Sequence, residues 1–426
     1  MIPLDEAVAY VLAGCPPLAP RPMAVAEAGG CVLAGVVAAT EDVPPFANTA
    51  MDGYALRAVD AAGASETPVV LPVVAEVAAG NPAPRPLGPG EAMRIFTGAP
   101  IPEGADAVVM VERTERRDGA LPGGADGVEV RHTPQAGDHV RSAGDDLRAG
   151  QAVFGVGVEL TPARLGVLAS LGVTEVVAHP RPRVGVLSTG DELLDGPGPL
   201  RPGQIRDSNR PTLLAQVEAA GFEPVDLGRA PDAAAAIAEA LQRGVASCDA
   251  VLSSGGVSMG DTDLVKVVLD RIGDMRWMQV AIRPAKPLAF GVVPGPAGRD
   301  DLGPRRVPVF GLPGNPVSSL VSFELLARPA LRRLAGHPEE RWHRARMAAV
   351  AEQPLPRRPD GKTHFVRVEA RVAPDGTLRV RSSGGQGSHQ LAAMAQAEAL
   401  AVVEDGDGVE AGGTVPVLLL RDLYQA

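Results

Sequence analysis

The sequence predicts a multidomain fold of the α/β and β classes with a doubly wound parallel sheet at its centre, and three observations support this. Strand-like and helix-like segments alternate between residues 180 and 335, which is typical of a parallel sheet covered by helices on both faces. From about residue 345 onward, short alternating segments broken by Gly and Asp indicate a small β-barrel or sandwich. The length of 426 residues leaves room for several such domains.

The first 179 residues predict two smaller units. Segments 4–13 and 161–171 have helical patterns, whereas 67–77 and 107–112 are typical of strands in a Pro- and Gly-rich setting. We therefore expect a β-rich domain inserted into a small helical N-terminal domain. The predicted domains are 1–40 with 141–179 (helical), 41–140 (inserted, β-rich), 180–335 (α/β) and 340–426 (C-terminal small β-barrel).

The elements of the last two domains follow in the order expected of these folds. The strands predicted for the α/β domain are 184–187, 223–227, 249–253 and two near 277–282 and 307–310. Its predicted helices are 209–220, 232–243, 262–272 and one from 315 to about 334. The predicted barrel strands are 364–372, 377–382, 399–404 and 414–420.

Composition and charge exclude several classes of function. The formal net charge is −11 without a basic stripe and aromatic residues make up 3%, so neither nucleic acid nor a membrane is expected as a partner. The 3 cysteines form no CxxC pair, which argues against a disulfide framework and a zinc site. The N-terminus lacks a signal-peptide pattern and no apolar run reaches the roughly 18 residues of a membrane span, so we expect a cytoplasmic protein.

Three polar, Gly-containing loops follow predicted strands of the α/β domain, at the sheet edge where such folds bind ligands. The loop 252–263 offers bare backbone N–H groups to a phosphate and, at Asp261 and Asp263, oxygen ligands to a cation such as Mg²⁺. A tight turn with Asp261 as helix N-cap explains this loop equally well, and a helix opening explains 311–318. Together with 188–192, however, the loops predict a pocket for a phosphorylated ligand. Its predicted lining is Ser188, Thr189, Gly190, Ser254, Gly255, Gly256, Ser258, Pro313, Gly314, Asn315 and Pro316.

The remaining polar segments are ambiguous when each is taken alone. Arg283 and Lys286 lie three residues apart in a segment stiffened by Pro284 and Pro287, which limits the entropy lost in holding both charges near one anion, although a surface pair is the commoner arrangement. Arg367 alternates with apolar neighbours in a predicted strand, and the polar loop 384–389 follows; the pattern alone favours solvated surface for both. The segments 48–55, 94–100 and 144–147 are typical of turns and caps.

In chain order, these segments resemble the molybdopterin molybdenumtransferase family. The matching segments are MDGYA (51–55), RIFTGAPIPEGADAVVMVE (94–112), GDDLRAG (144–150), STGDEL (188–193), SSGGVSMGDTD (253–263), IRPAKP (282–287), GLPGNPVSS (311–319) and GSH (387–389). The resemblance covers about residues 40 to 390 and depends on the whole combination. The α/β domain alone is also similar to the stand-alone molybdopterin adenylyltransferase.

The resemblance implies an enzyme that inserts molybdate into adenylylated molybdopterin, with Mg²⁺-dependent hydrolysis of the adenylate to give molybdenum cofactor and AMP. It implies a homodimer whose pocket lies between the α/β domain of one subunit and the barrel of the other. Candidate partners are the adenylyltransferase and the factors that deliver the cofactor to molybdoenzymes. The catalytic positions that it implies are Asp52, Thr97, Asp146, Glu192, Asp232 and Asp263, with Glu192 and Asp263 as magnesium ligands and Arg283, Lys286, Arg367 and Ser388 as molybdate contacts.

Two other functions compete with this interpretation. A molybdopterin adenylyltransferase would need only the α/β domain, so the preceding 180 residues with MDGYA and TGAP count against it. A non-catalytic molybdopterin-binding scaffold would be expected to lose acidic residues at the pocket. Asp52, Asp146, Asp232 and Asp263 are all present, which favours the enzyme.

Overall fold

The computed structural model describes residues 1–119, 121–255, 264–297 and 304–421, and a six-stranded sheet lies at the centre of this part of the chain. Its strands, in spatial order, are Glu223–Ala230, Arg183–Thr189, Ala250–Ser254, Pro304–Leu312, Pro287–Ala297 and Asp274–Gln279. The first four are mutually parallel, as predicted. The two inner strands Arg183–Thr189 and Ala250–Ser254 are buried at nearly every residue, which suits strands covered on both faces, whereas the edge strand Glu223–Ala230 is more exposed.

The two other strands of this sheet run antiparallel to their neighbours. Pro287–Ala297 was not predicted as a strand; it pairs antiparallel with both Pro304–Leu312 and Asp274–Gln279. The sheet is therefore mixed, with four parallel strands and an antiparallel edge. The several Pro and Gly residues in 287–297 disguise the strand in the sequence, because both types are depleted in strands.

Helices cover both faces of the sheet, which confirms the doubly wound architecture. On one face, Leu213, Val217 and Val321 share a buried core with the strand residues Val184 and Phe310. On the other face, residues of two further helices pack in a second core with Leu187 and Val251. The α-helices are Leu4–Ala13, Pro162–Ser170, Asn209–Ala219, Ala234–Ser247, Leu264–Ile272, Pro316–Ser322, Arg328–Leu334 and Leu391–Ala395.

The helix predicted from 315 to about 334 contains one turn of different geometry. Phe323–Ala327 is a π-helix between Pro316–Ser322 and Arg328–Leu334. Glu324 in this turn is 8% exposed and accepts hydrogen bonds from Arg344 Nε at 2.6 Å and Arg344 Nη2 at 3.1 Å. The wide turn therefore carries a buried carboxylate that is paired with a cation.

Two sheets organise the first 179 residues. A three-stranded sheet joins Arg21–Ala24 and Val32–Leu33 to Glu175–His179, so distant parts of the chain meet. The six strands of the other sheet are, in order, Ala107–Met110, Gly53–Leu56, Ala92–Ile95, Val69–Val77, Gly127–Val130 and Thr114–Arg117. Four short strands form two-stranded ribbons: Asn48–Thr49 with Val140–Arg141, and Val37–Ala38 with Ala152–Phe154.

The last part of the chain forms the small closed barrel that the sequence predicts. Its strands, in order around the barrel, are Thr363–Val372, Leu378–Ser382, Arg346–Ala351, Thr414–Leu419 and Ala399–Val403. The barrel closes because Ala399–Val403 also pairs with Thr363–Val372. Ile282–Arg283 pairs with Thr363 and His364 and so attaches the predicted cationic segment to the barrel.

Two short strand pairs complete the described fold. Leu193–Leu194 pairs with Ile205–Arg206, and Leu355–Pro356 pairs with Gly408–Val409. In the described ranges, no helix is both long and apolar enough to cross a membrane.

Replacing Phe310 with Ala should destabilise the α/β core. Phe310 is 0% exposed and its ring centroid lies 4.9 Å from that of Phe290, so truncation leaves a cavity and should cost about 3–5 kcal/mol. Phe46→Ala is the matched control, because Phe46 is 45% exposed and should cost less than about 0.5 kcal/mol. Denaturant unfolding of both variants checks this, and equal losses would contradict the packing described.

Candidate functional site

Three strand ends meet at one edge of the central sheet, as the sequence predicts. Ser188 lies opposite Ser254 in the register of two parallel strands, and Ser254 lies opposite Leu312 in the next pair. The loops that follow these strands therefore begin side by side, at the carboxyl ends where open α/β sheets bind ligands. The structure thus brings together the described members of the predicted lining.

The floor of this crevice is backbone, because two of the loops approach too closely for side chains. Gly255 has φ +98° and its N–H donates to Leu312 O at 3.3 Å. A Cβ on Gly255 would lie 2.7 Å from Thr189 O, whereas one on Gly314 would lie 3.7 Å from the Gly255 Cα, an ordinary van der Waals distance. Glycine is therefore needed at 255, where the first two loops meet.

Hydroxyl groups line the same strand ends. Ser188 is 1% exposed and Thr189 is 5% exposed. The Oγ atoms of Ser188 and Ser253 are buried and make no hydrogen bond in the described part of the protein. Asn315 is the N-cap residue of the helix Pro316–Ser322, but its side chain makes no capping hydrogen bond. The side-chain amide of Asn315 is therefore not used to start this helix. Unsatisfied polar groups at a strand edge are typical of a ligand site.

Carboxylates gather beside the first of these loops. Asp191 N–H donates to Asp232 Oδ2 at 3.3 Å, and Asp232 N–H donates to Asp191 Oδ1 at 3.0 Å. A Cβ on Gly190, which has φ +143°, would overlap the carboxylate of Glu192. Glu192 and Asp232 are thus placed on adjoining segments, joined through Asp191, which the sequence analysis had not selected.

Asp263, the second predicted magnesium ligand, lies outside the described residues. The same holds for Asp261 and for two members of the predicted lining, Gly256 and Ser258. Within the described ranges, no group of three or more His, Cys, Asp or Glu side chains is arranged to hold a metal ion.

Sequence reasoning missed one residue of the crevice. Asn209 opens the helix Asn209–Ala219, and its Nδ2 donates to Ser254 Oγ at 2.8 Å and to Gly314 O at 2.7 Å. The signal was present, since the polar run Asp207-Ser208-Asn209 follows the first loop. By itself, however, this run predicts only the start of a helix and gives no sign of a contact with the other loops.

A second, cationic cavity lies where the Pro-stiffened segment meets the barrel. It has a volume of about 420 Å³ and brings together Arg283 and Arg367, two of the predicted molybdate contacts. Its lining is Arg283, Pro284, Pro354, Leu355, Pro356, Arg357, Arg358, Asp360, His364, Phe365, Val366, Arg367, Ser382 and Gln386. Three arginines besides Arg367, with one carboxylate, give the cavity a net positive character.

Arg367 is 0% exposed, so the solvated surface that the strand alternation favours is wrong. Its Nη2 donates to Gly385 O at 2.8 Å and to Gly387 O at 3.2 Å, while Nε and Nη1 make no hydrogen bond in the described structure. Burial, and secondarily repulsion by Arg283, lowers the pKa of Arg367 to about 10. A buried cation with free donors favours an anion as its partner.

Two other predicted molybdate contacts lie elsewhere. Lys286 is exposed, and its carbonyl accepts from Val280 N–H at 2.7 Å. The carbonyl of Ser388 accepts from Val317 N–H at 3.1 Å, which joins the polar barrel loop to the helix that follows Gly314. Within the part of the chain that the structure describes, neither Lys286 nor Ser388 lines the cavity.

The cavity also contains a charged network that the sequence did not reveal. Asp360 accepts from Arg357 Nη2 at 2.9 Å and from Lys362 Nζ at 2.7 Å, and lies 3.1 Å from His364 Nε2. Hydrogen bonding by Lys362, the largest influence, holds the pKa of Asp360 at about 2. Burial lowers the pKa of His364. The buried Nε of Arg357, like the free donors of Arg367, is without a hydrogen bond in the described structure.

Asp52 and Thr97 form a pair in the first half of the chain. Asp52 Oδ1 accepts from Thr97 N–H and from Thr97 Oγ1, each at 2.7 Å, and these bonds lower the pKa of Asp52. Asp146 is exposed, and its N–H donates to Val43 O at 2.9 Å. In the portions that the structure describes, no side-chain hydrogen bond links these three residues to the strand-end crevice or to the cationic cavity.

Comparison with known proteins gives matches along the whole chain. Residues 2–172 match the MoeA N-terminal region (domain I and II), 185–333 a probable molybdopterin binding domain, and 348–420 the MoeA C-terminal region (domain IV). A molybdopterin molybdenumtransferase of Haemophilus influenzae is 36% identical over 98% of both chains. Molybdopterin molybdenumtransferase 2 of Mycobacterium tuberculosis is 39% identical over 97% of both.

Solved structures give the same result. A crystal structure of the molybdopterin biosynthesis moeA protein from Pyrococcus horikoshii is 28% identical, with a TM-score of 0.74 over 99% of this chain and 100% of that one. A molybdenum cofactor biosynthesis protein from Pyrococcus furiosus is 21% identical, with a TM-score of 0.56, and shares the fold.

Replacing Thr97 with Val should raise the pKa of Asp52 towards its ordinary value. The substitution removes the hydroxyl donor and keeps the main-chain N–H, so part of the stabilisation of the carboxylate remains. A carboxyl pKa that is lower in the folded than in the unfolded state stabilises the fold at pH values above the unfolded-state pKa, and this stabilisation is lost as the pH falls through the folded-state pKa. Because Thr97→Val raises the folded-state pKa of Asp52, the variant should lose the stabilisation at a higher pH than the native protein does. A ¹³C NMR titration of the Asp52 carboxyl group checks this. Thr133→Val, at a hydroxyl that accepts from Ser65 N–H, should leave the titration unchanged.

Proposed function

This chain belongs to the molybdopterin molybdenumtransferase family, and on that premise we propose that it inserts molybdate into adenylylated molybdopterin, with Mg²⁺-dependent hydrolysis of the adenylate and release of AMP. The observation that carries the proposal is the presence of two anion sites of different kinds. One is the crevice at the strand ends, and the other is the cationic cavity beside the barrel, which contains the buried guanidinium of Arg367.

The strand-end crevice suits the phosphate groups of the pterin substrate. Main-chain groups around Gly255 and Gly314 can approach a phosphate closely because no Cβ intervenes. The hydroxyls of Ser188 and Ser253 lack partners in the described structure and offer further donors. In our proposal the pterin phosphate and the adenylate therefore lie along this sheet edge, with Thr189 and Asn315 beside them.

The cationic cavity suits molybdate, which is a tetrahedral dianion. Arg367 has donors on Nε and Nη1 that no described group satisfies, and Arg283 adds a second positive charge to the same cavity. An oxyanion would satisfy these donors and relieve the repulsion between the two arginines. We propose that Lys286 and Ser388 act at the rim of this site, since the segment 282–283 and the loop 385–388 both lead to it.

Magnesium fits the carboxylates beside the crevice by the chemistry of its donors. Mg²⁺ prefers oxygen ligands, usually one or two carboxylates together with substrate phosphates and water. Glu192 would hold the ion together with Asp263, and Asp232 lies on the adjoining segment. The ion would neutralise charge on the adenylate pyrophosphate as its phosphorus–oxygen bond is hydrolysed. Asp232 would meanwhile orient the attacking water by accepting a hydrogen bond from it.

We propose further that the protein is a homodimer whose pocket is shared between subunits, acting in the cytoplasm. Asp52, Thr97 and Asp146 share no side-chain hydrogen bond with either anion site across the described ranges, although the family resemblance makes them catalytic. A second copy of the chain would allow these residues to act at the same pocket as the crevice and cavity. The adenylyltransferase that supplies the substrate and the factors that receive the cofactor are the expected partners.

The direct test is AMP release from adenylylated molybdopterin with Mg²⁺, measured with and without molybdate. Molybdate-dependent release that also reconstitutes a molybdenum-free apoenzyme is the expected result, whereas binding without release would favour a scaffold.

Arg367→Lys keeps the charge but loses the planar fork, and should weaken molybdate binding about 10- to 100-fold. Arg371→Lys is the matched control on the same strand, because its side chain is 51% exposed. Equal affinities for molybdate in the two variants would contradict the assignment of the cavity.

The shared pocket is tested by subunit complementation. Asp52→Asn and Arg367→Lys are each expected to abolish or strongly reduce turnover as homodimers. In a purified heterodimer of the two, one pocket would carry both changes and the other neither, so about half of the native activity should return. A pocket formed within one chain predicts no recovery, because every pocket would then contain one altered residue.

A further inference from the structure

We propose that Asn209 is a positioning residue that holds the loop at Gly314 against the strand end at Ser254, and that it thereby controls affinity for the phosphate-bearing pterin. The assignment of the ligand rests on the proposed function. The assignment of the role rests on geometry, because in the described part of the chain the side chain of Asn209 joins the strand end at Ser254 to the loop at Gly314.

The side-chain amide of Asn209 suits this role. Its Nδ2 carries two N–H groups, and the two bonds lead to different segments: one to Ser254 Oγ at 2.8 Å and one to Gly314 O at 2.7 Å. Ser254 is 2% exposed and ends a core strand, whereas Gly314 is exposed. The amide therefore attaches an exposed loop to a rigid strand end.

The helix start that carries Asn209 is itself fixed to the sheet. Asp207 Oδ1 accepts the main-chain N–H groups of Asn209 and Arg210, each at 3.1 Å, and its side chain is 1% exposed. Arg210 in turn pairs with Asp207, Asp195 and Asp226. A residue held in this way has little freedom, so its two donors stay in place without a further entropic cost when the ligand binds.

The loop at Gly314 packs against the strand end to which Asn209 joins it. A Cβ on Gly314 would lie 3.7 Å from Gly255 Cα, an ordinary van der Waals distance, so the position of Gly314 sets the space between the two segments. Replacement by Asp would preserve the size of the side chain and remove both donors. It would also set a carboxylate against the Gly314 carbonyl oxygen and beside the anionic ligand.

The test compares Asn209→Asp with Asn81→Asp, the same change at an exposed turn position. Asn209→Asp should raise the KM for adenylylated molybdopterin at least tenfold, and the Kd for molybdopterin by a similar factor. The Kd for molybdate, measured without pterin, should stay within twofold of the native value, as should all constants of Asn81→Asp. An unchanged KM and Kd for the pterin would overturn the proposal, and so would an equal loss of molybdate affinity.

Two additional measurements separate positioning from folding and from the proposed function. Asn209→Ser, which shortens the side chain without adding charge, should also weaken pterin binding; if it binds normally, the spacing role is wrong even if Asn209→Asp fails to fold. Ser254→Ala combined with Asn209→Ser should be non-additive, because both remove the same bond. If native protein binds molybdopterin but releases no AMP, the proposed function fails, while the effect of Asn209→Ser on the Kd still decides the positioning role.

Discussion

The close approach of Gly255 to its neighbours determines the geometry of the whole ligand edge. Its N–H donates to Leu312 O, and the space where a side chain would stand is filled by Thr189. Parallel pairing brings the three strand ends side by side, but only the missing Cβ lets their loops converge on one crevice. The carboxylates at 191–192 and 232 and the amide of Asn209 are all arranged around this point of contact.

A buried guanidinium has the corresponding role in the barrel. Removing Arg367 from water is costly, and the carbonyls of Gly385 and Gly387 compensate only part of its donor capacity. Gln386 strengthens this arrangement, since its Oε1 accepts Arg367 N–H at 2.9 Å and its Nε2 donates back to Arg367 O at 3.1 Å. The loop 384–388 is thereby held against the strand, with donors left for an anion.

The two anion sites are connected within one chain. The barrel loop reaches the helix after Gly314 through the bond between Ser388 O and Val317 N–H, and Arg283 lies on a short strand that pairs with the barrel edge. The α/β core and the barrel therefore share structural elements at the places where the proposed substrates would bind. An insertion reaction needs the molybdate and the pterin to approach each other closely, and these contacts bring the barrel and the α/β core together.

The sequence by itself determined the order of the elements, the closed barrel, the parallel strands and the three strand-end loops. These features follow from local periodicity and from the rule that carboxyl ends of parallel strands share an edge. The motif combination also identified the family. The burial of Arg367, the antiparallel strand Pro287–Ala297, the Asp191–Asp232 pair and the bridging amide of Asn209 were decided only by the tertiary structure. The physical reason is that alternation in a strand tells which side chains share a face, whereas burial and hydrogen bonding depend on which distant segment covers that face.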